Sequence, residues 1–318
     1  MKKLALLAGA ATLSAMAGPA LAADTTLYVN ADNSVSLSGG IGLMNLDAGA
    51  FFYEDDYTVS RRDWESRGIV LFTLKGEAEL PHDLVLKASL STGLKGDHAM
   101  ENHYWIYPGN AGPNGPEDWT DRSLHPDTSL DHYWSGSLEV GKTLFSNDDT
   151  SVSLGAGLQY TDVKWTATGG SFIYSAFDFR DDAGSFADGE KVFSYRQRIP
   201  VLYASAGLSH DIGDLTLGAG LKGGLSFGIR DTEDDWLRTL RVHDRMKAAP
   251  MLGADLSATY HWNEKTALYL AGGFEKIFQA RGDMEAINTS TGGSSRIENA
   301  AGADFQSVQI SFGVNMKF

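Results

Sequence analysis

The sequence predicts an all-β protein, namely a ten-stranded antiparallel transmembrane β-barrel with long extracellular loops. Three observations lead to this fold class. Ten segments of roughly ten residues alternate apolar with small or polar side chains, the connections between them alternate in length, and the chain opens with an export signal. Glycine (36 residues) and aromatic residues (11%) are abundant, as in β-proteins whose strands approach closely.

The first residues have the three parts of a secretory signal peptide. Lys2 and Lys3 give a basic start, an apolar run covers 4–17, and an A-x-A site lies at 20–22. We therefore assign 1–22 to a signal peptide and 23–318 to one outer-membrane β-barrel domain. The remaining sequence has no apolar stretch near the roughly 20 residues that a membrane-spanning helix needs.

The ten alternating segments carry one apolar face and one small or polar face, which is typical of strands with lipid on one side. In chain order they are 34–46, 68–80, 83–96, 131–145, 151–165, 198–210, 215–229, 250–262, 267–280 and 307–318. A soluble periplasmic β-sandwich is the alternative. Strands of this length, with long and short connections in regular alternation, favour the membrane barrel.

The connections indicate which end of the barrel faces outward. Four are tight (81–82, 146–149, 211–214 and 263–265), and five are long and polar (47–65, 97–128, 167–195, 231–245 and 282–304). Short periplasmic turns and longer extracellular loops are characteristic of outer-membrane barrels, so both termini should be periplasmic. Because only a closed ring satisfies every strand edge in lipid, an even number of strands is expected. The terminal Phe318 resembles the signal that barrel-insertion machinery reads.

Composition restricts the possible partners. The formal net charge is −15, and loss of Lys2 and Lys3 leaves 24 basic against 41 acidic residues, a net charge of −17. Nucleic acid is therefore an improbable partner, whereas cationic peptides or proteins suit the charge. There is no cysteine, and the eight histidines occur singly without metal-ligand spacing, so we expect no metal. We expect a monomer.

A specific motif lies at 119–128. Its fixed positions are Trp119, Thr120, Asp121, Ser123, His125, Pro126 and Thr128, with Asp127 between the last two. This W-T-D-x-S-x-H-P-x-T pattern resembles the first signature of the omptins, outer-membrane proteases of Gram-negative bacteria. The segments 169–175, 179–190 and 195–198 also resemble omptin sequence, whereas a second signature within 156–172 is only partly kept. We expect His125 and Asp127 to brace a loop rather than to act in catalysis.

The resemblance implies a four-residue catalytic site: two aspartates on one wall of an extracellular cleft, and an aspartate and a histidine on the opposite wall. Alignment on the first wall, between Met100 and Trp105, puts Asn102 and Tyr104 at the two aspartate positions. On the second wall, the aspartate and histidine positions hold Glu233 and Asp235. All four family residues are replaced.

Neighbouring residues offer partial substitutes. Glu101 and His103 lie beside the first wall, but the two-residue period of a strand points them to the opposite face unless the register slips. Glu233 and Asp235 could form a carboxylate pair, in which one pKa is raised. An acidic segment such as 231–235 is otherwise simply solvated.

Positions that bind substrate or lipid in the family are better kept. The acids that accept a basic side chain fall on Asp231 and, less securely, on Asp47. Lipopolysaccharide is the expected bound lipid: Arg198 matches one of the basic positions that hold it, but Asp162 replaces another. Since an acid repels phosphate, we expect lipopolysaccharide dependence either to be lost or to work through other contacts. Basic residues such as Arg61 and Arg62 are expected to be solvated loop residues.

Three functions remain open from the sequence. The favoured one is an omptin-like barrel whose acidic extracellular cleft binds basic peptides, in a non-proteolytic binding or adhesion role. The first alternative is an altered endopeptidase that uses Glu233 and Asp235. The second is an intact omptin-type protease in a different register. A porin is disfavoured because ten strands leave a narrow interior.

Overall fold

The computed structural model describes residues 35–106 and 118–318, so the signal peptide lies outside the described residues. Within these ranges no helix is long and apolar enough to cross a membrane. The strands are β1 (Val35–Glu54), β2 (Tyr57–Leu80), β3 (Leu84–Leu94), β4 (Asp97–Tyr104), β5 (Asp121–His125), β6 (Asp127–Ser146), β7 (Thr150–Thr168), β8 (Ser171–Tyr174), β9 (Asp182–Ser185), β10 (Lys191–Ile212), β11 (Leu215–Ser226), β12 (Arg230–Asp235), β13 (Leu240–Met246), β14 (Ala249–Asn263), β15 (Thr266–Asn288) and β16 (Ser294–Lys317).

The strands close into an antiparallel ring. β1 pairs with β2 on one side and with β16 on the other, so first and last strands meet. β3 continues into β4, β5 into β6, β11 into β12 and β13 into β14, and each pair fills one place in the ring. The ring therefore has ten places, and the ten-stranded barrel is confirmed. β8 and β9 form an extra hairpin that extends the sheet from β5.

Strand structure also extends into the connections on the extracellular side. β1 runs to Glu54 and β2 starts at Tyr57, so most of 47–65 is a hairpin. The segments 231–245 and 282–304 likewise consist largely of paired strands. Apolar alternation reports only the part of a strand that faces lipid, so these polar extensions resemble loops in the sequence.

The lower barrel has an apolar exterior. Its outward side chains include Leu37, Ile41, Leu43, Phe72, Leu74, Leu138, Leu154, Leu158, Leu202, Leu221, Leu256, Leu270, Ile310 and Phe312, all exposed. Large apolar patches of this kind on a closed barrel are typical of a lipid-facing belt.

The interior is filled by side chains. Lys87 pairs with Glu139 at 3.0 Å, and the Gln159 amide donates to Glu275 at 2.9 Å. Above them, Trp64 stacks with Tyr195 and Trp165 at ring-centre distances of 5.6 and 5.9 Å. Trp64 and Trp165 are fully buried, so this aromatic layer underlies the extracellular walls.

A β-bulge in β2 reverses which side chains face inward. Ile69 and Leu71 are buried inside the lower barrel, whereas Trp64 and Ser66 are the buried residues above. Gly68, at φ 63°, lies at the register shift and donates its N–H to the Asn45 side chain. Positive φ favours glycine, and an added residue in one strand inverts the alternation beyond it. Above the bulge, the even-numbered side chains of β2 face inward, whereas below it the odd-numbered side chains do.

Candidate functional site

The motif at 119–128 braces the upper barrel. His125 is fully buried, and its two ring nitrogens hydrogen bond with the Gly169 carbonyl at 2.6 Å and the Ser123 hydroxyl at 3.0 Å. The Thr128 hydroxyl donates to the His125 carbonyl at 2.8 Å. At Gly170, φ is 100° and a Cβ atom would lie 2.1 Å from the Leu124 carbonyl, so only glycine fits this crossing.

The start of the same motif holds the β8–β9 hairpin. The Arg180 guanidinium lies 3.5 Å from the centre of the Trp119 ring and donates to the Trp119 carbonyl at 2.6 Å. Asp121 accepts the backbone N–H of Ser175 at 3.1 Å. Through these contacts, Trp119 and Asp121 of the motif hold the β8–β9 hairpin against the start of β5.

The first wall is β4. Asn102 is buried, and Tyr104 on the same face extends toward the opposite wall. Glu101 and His103 alternate with them and interact with each other at 3.3 Å, and Glu101 also accepts a hydrogen bond from Arg122 at 2.6 Å. The imidazole of His103 is therefore engaged on the other face of β4.

The second wall is β12. Asp231, Glu233 and Asp235 are all at most 5% exposed, because they share the inward face of the strand. The intervening residues face outward: the Thr232 hydroxyl is 3.2 Å from His243, and Arg241 donates to Asp234 at 2.6 Å. Only the inward acids face the first wall.

An arginine from β2 joins the two walls. Arg62 donates to the Tyr104 hydroxyl at 2.7 Å and to the Glu233 carboxylate at 2.9 Å, although Glu233 is 171 positions away in the chain. Its side chain is only 13% exposed and lies against the Phe193 ring, 5.1 Å from the ring centre. The expectation that Arg62 is a solvated loop residue is wrong, whereas Arg61 is half-exposed and pairs with Asp63.

Electrostatics keep this bridge charged. Burial alone would lower the pKa of Arg62, but the charges of Glu233 and Asp235, together with the hydrogen bond to the Tyr104 hydroxyl, outweigh burial and raise it. Burial raises the pKa of Glu233, and the Arg62 guanidinium partly offsets that rise. A buried pair of this kind is costly to break, because the remaining charge would have no partner.

A second arginine reaches the same phenol. Arg238 follows β12, and its backbone N–H donates to Asp235 at 3.0 Å. Its guanidinium lies 3.4 Å from the Tyr104 hydroxyl and 3.6 Å from the Asp235 carboxylate. The Arg238 side chain is 61% exposed, so it stands at the solvent side of the gap while Arg62 lies inside it.

An acid pair lies deeper on the second wall. Asp231 on β12 and Asp244 on β13 are register partners, and the Tyr195 hydroxyl donates to Asp231 at 2.7 Å. Burial, reinforced by Glu233, raises the pKa of Asp231 to about 8 despite the Tyr195 hydrogen bond. Burial and the charge of Asp231 also raise the pKa of Asp244. Each acid has one buried oxygen without a hydrogen-bond partner among the described residues.

The structure does not bring Asp47 to this acid pair. Leu46 and Ala48 are the buried neighbours on β1, and Asp47 points to the outer face, where Arg67 lies 2.6 Å away. Of the two expected substrate-binding acids, only Asp231 faces the gap.

Arg198 belongs to a basic cluster on the outer wall. In register across β10, β12 and β13, Arg198, Arg230 and Arg245 lie side by side and line a cavity of about 340 Å³. His243 and Arg296 line it as well, and so do four acids, Asp231, Asp244, Asp283 and Glu285. Among the described residues, no acid lies within ion-pair distance of Arg198, Arg230 or Arg245.

Asp162, expected to repel phosphate nearby, is instead neutralised within the protein. It is 1% exposed and accepts hydrogen bonds from Arg196 at 2.8 Å and from His132 at 2.9 Å. Its charge is therefore largely compensated at this surface.

Sequence reasoning does not assign four residues to the site: Arg62, Arg238, Asp244 and Tyr195. Arg62 lies beyond the bulge at Gly68, where alternation counted from the membrane strand gives the wrong face. Asp244 could have been found, because it faces Asp231 if the β12–β13 segment is paired as a hairpin.

Comparison with known proteins agrees with this architecture. A family model described as the Omptin family matches residues 31–318. The chain is 26% identical to the plasminogen activator of Yersinia pestis over the full length of both chains, and 27% identical to protease 7 of Escherichia coli K12 over 77% of each. The crystal structure of the outer membrane protease OmpT from Escherichia coli superimposes with a TM-score of 0.83 at 24% identity, covering 92% of this chain and 99% of that one, which shows the shared fold. This chain belongs to the omptin family and is an outer-membrane β-barrel of a Gram-negative bacterium.

Proposed function

We propose that this barrel binds basic peptides in its extracellular cleft without hydrolysing them. The observation that carries the proposal is Arg62, which crosses the gap and occupies both Tyr104 and Glu233. Hydrolysis by the route that the family resemblance implies needs an attacking water, and a base to take its proton, in that gap. A guanidinium bonded to both walls supplies neither.

The four family catalytic positions support the same reading. Asn102 and Tyr104 lack a carboxylate, and Asp235 stands where the family has its histidine. An imidazole can take up and release a proton near neutral pH without special tuning. His103 is on the other face of β4 and is engaged with Glu101.

Binding is better supported than cleavage. Asp231 and Asp244 form a buried pair whose unpartnered oxygens can accept hydrogen bonds from an ammonium or guanidinium. The net charge of −15 also attracts cationic peptides to the surface before they dock. A binding or adhesion role does not require the aspartates and the histidine that are replaced at the family's catalytic positions.

An altered hydrolase is the second candidate. Burial raises the pKa of Glu233, which is the direction that a carboxylate base needs for work near neutral pH. Glu233 would have to leave Arg62 to act in this way. The ion pair at 2.9 Å therefore makes this candidate the weaker one.

Peptide cleavage is the direct test. We expect protein refolded in detergent with lipopolysaccharide to leave a fluorogenic dibasic peptide uncut, while a non-cleavable analogue binds. Asp231→Asn should weaken that binding, and outward-facing Asp234→Asn is the matched control. Cleavage that disappears in Glu233→Gln or Asp235→Asn would establish the altered hydrolase instead. Cleavage that survives in both variants would contradict both proposals.

We also propose that the outer basic cluster binds the phosphates of an outer-membrane lipid such as lipopolysaccharide. Arg198, Arg230 and Arg245 form a row on neighbouring strands, and guanidinium groups bind phosphate through paired hydrogen bonds. Asp162 is not an obstacle to this contact, since Arg196 and His132 compensate its charge.

A further inference from the structure

Two arginines converge on one phenol in the gap. Arg62 and Arg238 approach one atom, the Tyr104 hydroxyl, at 2.7 and 3.4 Å. A phenol can accept hydrogen bonds and still donate its own proton. Two guanidinium groups therefore meet at the Tyr104 hydroxyl, a position where the family resemblance implies an aspartate.

Both arginines retain capacity for a ligand. Arg238 reaches Asp235 only at 3.6 Å, and its side chain is 61% exposed at the mouth of the gap. The Nε of Arg62 is buried and has no hydrogen-bond partner among the described residues. A carboxylate at the mouth can pair with Arg238 and accept a hydrogen bond from the Tyr104 hydroxyl while the Arg62–Glu233 pair stays intact.

Asp231 lies on the same inward face of β12 as Glu233, the partner of Arg62. It precedes Glu233 by two residues, a rise of about 7 Å along the strand. Asp231 is 2% exposed and keeps one oxygen without a partner among the described residues.

We propose that the cleft recognises peptides whose last residue is lysine or arginine, with the side-chain cation at Asp231 and Asp244 and the free α-carboxylate at Arg238 and Tyr104. This inference rests on the proposed binding of basic peptides. An internal basic residue offers a neutral amide to Arg238, whereas a chain end offers a charge-assisted pair. The preferred ligand is therefore a peptide that has already been cut after a basic residue.

Three labelled peptides of one sequence test this recognition: one ending in free lysine, its C-terminal amide, and a version extended by one glycine. Fluorescence anisotropy on the refolded full chain gives their Kd values. We expect the free acid to bind about tenfold more tightly than the other two, since one charge-assisted hydrogen bond is at stake.

Variants separate the two ends of the ligand. Arg238→Gln should abolish the preference for the free acid and leave the amide's affinity unchanged. Asp231→Asn should weaken all three peptides. Arg241→Gln is the matched control, because Arg241 lies on the same hairpin but faces outward to Asp234, and it should keep the preference.

Two results would overturn the inference while leaving the proposed function standing. They are equal affinity for free acid and amide in the native chain, and a preference that persists in Arg238→Gln. If no peptide binds at any concentration tested, the proposed function fails and the inference fails with it. Because Arg238 is mostly exposed, its replacement leaves the buried packing in place, and a circular dichroism spectrum checks that the variant is folded.

Discussion

One buried side chain, that of Arg62, distinguishes this cleft from an open one. Its neighbour Arg61 has the same chemistry, but it points outward and pairs with Asp63. Strand parity alone therefore assigns one arginine to the gap and the other to solvent. The difference in burial gives the two residues opposite expected effects on stability.

Replacement of Arg62 by leucine should destabilise the barrel by about 3–5 kcal/mol, because Glu233 would be left buried without its partner. The matched change Arg61→Leu should cost less than about 1 kcal/mol. Thermal unfolding followed by circular dichroism measures both. Adding Glu233→Gln to Arg62→Leu should recover most of the loss. A double variant as unstable as the single one would show that the ion pair is not the source.

At the level of the strand, the membrane-facing half was predictable and the upper half was not. The tight turns and the ten alternating segments follow from a two-residue apolar period that lipid imposes on one face. Above the lipid both faces are polar or buried in protein, so that period disappears from the sequence. The bulge at Gly68 then reverses the count. For this reason the family resemblance implies roles for positions 102, 104, 233 and 235, whereas alternation alone places Arg62 in solvent.

The β12–β13 hairpin holds a pH-sensitive pair, Asp231 and Asp244. The pKa of Asp231 is about 8 in the fold against 3.8 for an ordinary aspartate. A raised pKa stabilises the fold fully below pH 4, and this contribution is lost as pH rises toward 8, since unfolding then allows the acid to ionise. The native chain should therefore lose stability relative to Asp231→Asn across this window.

We expect that difference to reach the order of 3 kcal/mol by pH 8. Melting temperatures of the native chain and of Asp231→Asn at pH 4, 6 and 8 would measure it. The outward-facing Asp234→Asn should show no such increase with pH. A constant difference between native chain and Asp231→Asn over the whole range would mean that Asp231 ionises normally in the fold.

For the whole molecule, the closed ring organises two adjoining surfaces. Inward positions of the upper strands form the cleft, and outward positions of the same strands form the basic row of Arg198, Arg230 and Arg245. On β12 the two surfaces are interleaved, since Arg230 faces out and Asp231 faces in. The two surfaces are nevertheless coupled, since Asp231 and Asp244 also line the outer cavity and Arg198 acts electrostatically on Asp231.

Lipid binding can be tested on that basis. Replacing Arg198, Arg230 and Arg245 together by glutamine should lower the affinity for lipopolysaccharide at least about tenfold. Lys265→Gln, in a turn at the opposite end of the barrel, is the control. Competition by free inorganic phosphate distinguishes a phosphate site from a site that requires the whole lipid. Unaltered lipopolysaccharide affinity in the triple variant would contradict the proposal.

The side chain that spans the gap has a consequence for selectivity. The Arg62 guanidinium is attached to a rigid strand and competes with outside cations for Glu233. Its effective concentration there exceeds the millimolar value typical of a group on a short flexible tether. Free guanidinium compounds in the surroundings cannot match it at Glu233. The chain thus keeps part of its acidic cleft permanently occupied, and only the remaining acids stay open to cations from outside.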